Sequence, residues 1–148
     1  MRLILPDSLR AELFVYVREA LPEEACGFLL GSGNGETVRA AAVQAARNLH
    51  PHREDRFHID PLEYAKAERI CRKRAADGWR VLGFWHSHPQ SAARPSAIDL
   101  EQARGLFASF PARYLYVIVA PNEPEDAQLM AWRLDEAGQA FEAVRLEG

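Results

Sequence analysis

The chain has 148 residues, of which 48% are hydrophobic and 26% charged, with a formal net charge of −3; that is enough to bury one sizeable core and too little for two. The charge excludes the dense basic face that nucleic-acid binding by counterion release demands, the composition excludes disorder, and no apolar run approaches a membrane span. Residues 1–148 are therefore expected to form one domain in the cytoplasm, touching neither nucleic acid nor membrane; the oligomeric state is not legible.

The N-terminal MRLILP holds a short apolar run closed by Pro6 and Asp7, far short of a signal-peptide core. Over residues 8–21 the apolar side chains Leu9, Leu13, Val17, Ala20 and Leu21 form one stripe of a helix, and Pro22 ends it. CGFLLG, the turn residues Ser32 to Gly35 and ETVRAAAVQAA predict a strand pair. The polar, proline-broken NLHPHREDRF predicts a loop. Asp60-Pro61-Leu62-Glu63 sets an N-cap, a proline at the first helical position and an early glutamate, so a helix should run to Gly78 with Tyr64, Ala67, Cys71 and Ala75 inward.

WRVLGFWH is apolar, short and bounded by Gly78 and Pro89, which predicts a central strand buried on both faces. Pro95-Ser96 opens another helix to about Phe107, and YLYVIVA, AQLMAWRL and QAFEAVRL follow as a three-stranded meander. Helices alternate with strands early and strands pair among themselves late. The expected fold class is α/β, a layered domain with a mixed β-sheet flanked by helices. Cys26 and Cys71 are expected as buried thiols.

His86 and His88 stand two apart at the end of the central strand. Their side chains share a face, with Cα atoms about 6.5 to 7 Å apart, a spacing from which two imidazoles can converge on one ion at about 2.0 to 2.1 Å. Ser87 points the other way. A third ligand must come from elsewhere, and residues 90–94 can loop back to bring Ser96-x-x-Asp99 near. That pattern is also an ordinary helix cap, and the pair of histidines alone could be a solvated strand end. The capping and metal-binding readings are compatible, since a carboxylate in the first helical turn can face outward.

The combination His86-x-His88, seven residues, Ser96-x-x-Asp99, with Glu24 upstream in E-x-C-G-F-L-L-G, resembles the JAMM (MPN-plus, Mov34-type) metalloprotease family, and in particular its short prokaryotic members. The resemblance implies the MPN/JAB fold, similar to that of cytidine deaminases. It also implies a Zn2+ ion held by His86, His88 and Asp99 with water as fourth ligand, the open arrangement of a catalytic zinc site. Glu24 takes the role of general base, Glu23 being its rival, and Ser96 that of hydrogen-bond donor to the oxyanion. The implied substrate is a ubiquitin-like or small sulfur-carrier protein ending in Gly-Gly, cut after its C-terminal tail at a peptide or isopeptide bond. Asn48 falls where the family often presents an asparagine near the substrate groove. Cys26 occupies a position that the family does not use as a ligand.

The second pair, His50-Pro51-His52, lies in the charged loop with no S-x-x-D beside it, and His58 is expected to pack or cap. Two other readings of the motif stay open. Two histidines and a carboxylate also build the facial triad of non-haem Fe(II) enzymes, and the same fold without metal serves as a scaffold or interaction module.

Overall fold

In the computed structural model of the protein, residues 1–53, 58–110 and 112–148 are described; the part of the expected loop at 54–57 lies outside them. Among the described residues the chain runs β1 (Arg2–Ile4), α1 (Asp7–Ala20), β2 (Cys26–Asn34), β3 (Thr37–Ala46), α2 (Pro61–Lys73), β4 (Arg80–Ser87), α3 (Ala97–Ser109), β5 (Leu115–Val119), β6 (Leu129–Leu134) and β7 (Phe141–Glu147), with two short 3₁₀ turns at Ala75–Asp77 and Glu125–Ala127. The strand order β1-β3-β2-β4-β5-β6-β7 closes on itself. β4 and β5 run parallel, as does β1 with both β3 and β7; the other neighbours are antiparallel. This is the mixed sheet flanked by helices that the periodicities predict.

β1 is what the sequence reading lacked. Three residues cannot display a two-residue period, yet Leu3 and Leu5 are fully buried and β1 joins the first half of the sheet to β7. Its partners are remote, Leu3 lying opposite both Val38 and Leu146.

Two apolar clusters straddle the sheet. Leu13 and Val17 of α1 pack with Leu29, Trp85 and Val117, while Ala67 and Cys71 of α2 pack with Phe28 and Leu30 and with the partly buried Tyr64 and Phe84. β4, between β2 and β5, is therefore covered on both sides. α2 begins as expected, the Asp60 side chain accepting from the Leu62 N–H at 2.9 Å, but it ends at Lys73. The Arg74 N–H donates to the Cys71 carbonyl at 3.0 Å, tightening the last turn into 3₁₀ geometry, and Gly78 closes it with φ 74°. Ala75 falls on that turn and is exposed, not inward. No helix among the described residues is long and apolar enough to cross a membrane.

Candidate active site

β4 delivers the histidines from the middle of the sheet. Cys26 on one side and Ile118 on the other lie opposite His86, and the His88 N–H donates to the Val119 carbonyl at 2.8 Å, so both rings stand on rigid backbone. They are 1% and 6% exposed, and their Nε2 atoms are 3.2 Å apart. His88 Nδ1 lies 2.8 Å from the Ala92 carbonyl. A carbonyl only accepts, so Nδ1 carries the proton and the Nε2 lone pair is left for the site.

Residues 89–95 are tied down at intervals. The Asn122 side-chain amide donates to the Pro89 carbonyl at 2.7 Å, and the Trp132 indole N–H donates to the Ala93 carbonyl at 3.0 Å. This loop sets the start of α3, where a reciprocal cap forms: Ser96 Oγ accepts from the Asp99 N–H at 3.0 Å and Asp99 Oδ2 accepts from the Ser96 N–H at 2.9 Å. The same Oδ2 lies 3.0 Å from His88 Nε2 and 3.3 Å from His86 Nε2. Cap and cluster are thus one arrangement. Three ligands at 2.0 to 2.1 Å around a tetrahedral ion should be about 3.3 Å from one another, and the observed separations of 3.0, 3.2 and 3.3 Å suit such an ion.

The electrostatics fit the geometry. Burial pushes the Asp99 carboxyl up, but its hydrogen bonds with His86 and His88, the electrostatic pull of His86 and the Ser96 amide outweigh burial and hold it well below the usual carboxylate range. Burial pulls the His88 imidazole down, and it is outweighed by Asp99, the Ala92 carbonyl and the charge of Glu24, so the ring's pKa is raised. An ionised carboxylate, and a negative field strong enough to raise the His88 pKa despite burial, mark a pocket that favours positive charge.

Glu24 arrives from the opposite side, in the link between α1 and β2. It is 5% exposed, and one ligand atom each from Glu24, His86 and His88 lie within 4.8 Å of one another. Glu23, its neighbour and rival, pairs with Arg53 at 3.1 Å and remains 43% exposed at its side chain. The next residue, Ala25, donates its N–H to Ser87 Oγ at 2.8 Å and accepts from the Ser87 N–H at 3.0 Å.

Residues 6–135 match the family model described as prokaryotic homologs of the JAB domain. The chain belongs to the prokaryotic JAB family. It is 32% identical, over 97% of its length and 96% of the relative's, to a protein of Haloferax volcanii named Desampylase. It is 30% identical, over 69% of its length and 64% of the relative's, to a Thermus thermophilus protein named "Probable TtuB-protein conjugate cleaving protease". A solution structure of a Desulfitobacterium hafniense protein superposes with a TM-score of 0.80 at 29% identity, covering 97% of this chain and 90% of that one.

Two grooves meet in this JAB domain at the Glu24 side. One, of about 780 Å³, is lined by Glu24, His52, His88, Gln90 and Ser96 among others; the second, of about 480 Å³, by Tyr16, Glu24, Cys26, Ala46, Asn48 and Trp85 among others. Of the second pair, His50-Pro51-His52, Pro51 and His52 line the first groove, and His50 Nδ1 accepts from the His52 N–H at 2.9 Å. The His58 side chain is exposed instead of packed; its N–H is what is used, donating to Asn48 Oδ1 at 3.0 Å. Both cysteines are free and buried, and burial, with the charges of Glu63 and Glu24, pushes the Cys26 thiol up to about 12. Sequence reasoning missed Ser87, whose only signal is its place between the two histidines.

Proposed function

We propose that this JAB-family chain is a zinc-dependent isopeptidase or peptidase that hydrolyses the bond after the C-terminal tail of a ubiquitin-like or small sulfur-carrier protein. The observation that carries the reading is the convergence of His86, His88 and Asp99 Oδ2 within 3.3 Å of one another, with the buried Glu24 carboxylate facing the two rings. The names of the two relatives support the substrate class. His86, His88 and Asp99 would hold the ion. When bound, zinc supplies Lewis-acid chemistry, lowering the pKa of water and polarising a carbonyl.

The chain's own groups do the rest. Glu24 accepts the proton of the attacking water and returns it to the leaving amine. Ser96 Oγ already accepts from the Asp99 amide, so its own O–H is free to donate to the scissile carbonyl oxygen as charge builds there. β1 pairs with β3 only at Thr37 to Arg39, and the remaining length of that edge runs toward Asn48 and Glu24. An extended tail adding itself to this edge would be delivered to the site by main-chain hydrogen bonds.

The test is to incubate zinc-loaded protein with ubiquitin-like carriers bearing C-terminal extensions or lysine conjugates and to identify products by mass. Cleavage after the tail, lost in His86→Ala, is the expected result. Intact metal without cleavage of any carrier would overturn the substrate class, and oxygen consumption without proteolysis would favour the iron reading instead.

A further inference from the structure

Glu24 stands outside any strand: β2 starts at Cys26 and α1 stops at Ala20. Something else must fix it, because a base misplaced by about 1 Å can cost about a hundredfold in rate. Its two main-chain groups are both taken by the segment between β3 and α2. The Glu24 N–H donates to the Arg53 carbonyl at 2.6 Å, and the Glu24 carbonyl accepts from Asn48 Nδ2 at 3.1 Å. Asn48 also holds the two ends of that segment together. Its Oδ1 accepts from the His50 N–H and from the His58 N–H, each at 3.0 Å, Asn48 pairs with Ile59 as an isolated bridge, and the Leu49 N–H donates to the His58 carbonyl at 2.8 Å.

We infer that Asn48 is the positioning residue for Glu24: one side-chain amide closes the loop that carries the Arg53 carbonyl and, with its other end, grips the backbone of the base. This deepens the proposed function and rests on it for the role of Glu24. An asparagine is required because the site needs an acceptor for two N–H groups and a donor for one carbonyl on a short side chain, a combination that serine offers only weakly and aspartate lacks. The ligand half of the site has its own supports in Ala92, Asn122 and Trp132, so loss of Asn48 should move the base and leave the metal ligands in place.

The experiment compares Asn48→Ala and Asn48→Asp with wild type in zinc-loaded form, measuring cleavage kinetics, zinc stoichiometry and backbone amide exchange. The aspartate keeps the acceptor for His50 and His58 but offers no donor to Glu24. Expected are a fall in kcat of about ten- to a hundredfold in both variants with KM within about twofold, unchanged zinc stoichiometry, and faster exchange of the Glu24 amide while the Ala25 amide, held by Ser87, keeps its wild-type rate. Should Asn48→Ala fail to fold, Asn48→Asp decides. Wild-type kcat in Asn48→Asp, loss of zinc from a folded variant, or an unchanged Glu24 amide would each overturn the inference. If wild-type protein cleaves no carrier, the substrate reading falls, and the exchange measurement still decides whether Asn48 anchors Glu24.

Discussion

The two halves of the site are built differently. The half made of His86, His88 and Asp99 spans fourteen consecutive residues: a strand end, a loop tied to Asn122 and Trp132, and a helix cap whose carboxylate is shared with the cluster. The half made of Glu24 depends on residues far along the chain, with Asn48 and Arg53 bonding its carbonyl and N–H and Ser87 bonding the N–H of the next residue, Ala25. Both halves need the sheet for rigidity, but the first has its three ligands in one stretch of chain tied to β5 and the segments after it, whereas the second holds one residue through several separate segments.

The sharpest way to break the comparison is to exchange the halves' chemistry. His86→Ala and Asp99→Ala should each abolish zinc binding and turnover, measured by metal analysis and product mass. Glu24→Gln should lower turnover by about 10²- to 10⁴-fold, the range of a lost general base, while zinc stoichiometry stays at the wild-type value. Glu23→Gln should leave kcat nearly unchanged, its carboxylate being engaged with Arg53 at the surface. An inactive Glu23→Gln beside an active Glu24→Gln would reverse the assignment of the base.

What could be read in the sequence divides along the same line. The helix starts, the central strand and the meander carry their signals within a few residues, and so does the His-x-His to S-x-x-D run. Glu24 is singled out only by the family resemblance, whose E-x-C-G spacing selects it over Glu23; no physical signal in the residues themselves does so. β1 had too few residues to show a period, and its parallel pairing with β3 and β7 joins segments from opposite ends of the chain. Strand alternation turns Ser87 away from the histidines and gives it no role that the sequence alone displays. That same turn places it where the Ala25 amide needs an acceptor. The early end of α2 went unread because Arg74 to Gly78 keep helical composition while their hydrogen bonds tighten to 3₁₀.

Ser96 sits where the two halves' roles overlap. Ser96→Ala should lower kcat by about 10²- to 10³-fold, as for a lost oxyanion donor, and should destabilise the fold by about 1 kcal/mol through the missing cap. Thermal unfolding measures the second effect independently of the first. A stability loss without a kinetic one would make Ser96 a capping residue alone. Ser87→Ala is the structural counterpart on the base side. It leaves the Ala25 amide buried and without its acceptor, at a cost of about 1–3 kcal/mol, and chemical denaturation should resolve that loss while zinc remains bound.

The smallest effect expected concerns Cys26, which lies opposite both His86 and Ala46 at the start of β2 and is 1% exposed. Its thiol is pushed from 9.0 up to about 12, by burial first and then by the charges of Glu63 and Glu24. The thiolate is the reactive form, so iodoacetamide at pH 8 should label it slowly in the folded protein and readily in denaturant. The sign follows from the raised value: the folded state resists deprotonation, so this contribution to stability is intact below the unfolded thiol's pKa and is lost as pH climbs toward 12. Because Cys26 borders the groove that Asn48 also lines, labelling at fixed pH reports how tightly the base side is closed. Faster labelling in Asn48→Ala than in wild type, with Cys71 unchanged, would locate the loosening there; equal acceleration at both cysteines would mean the whole barrel had loosened, and the separation of the two halves would fail.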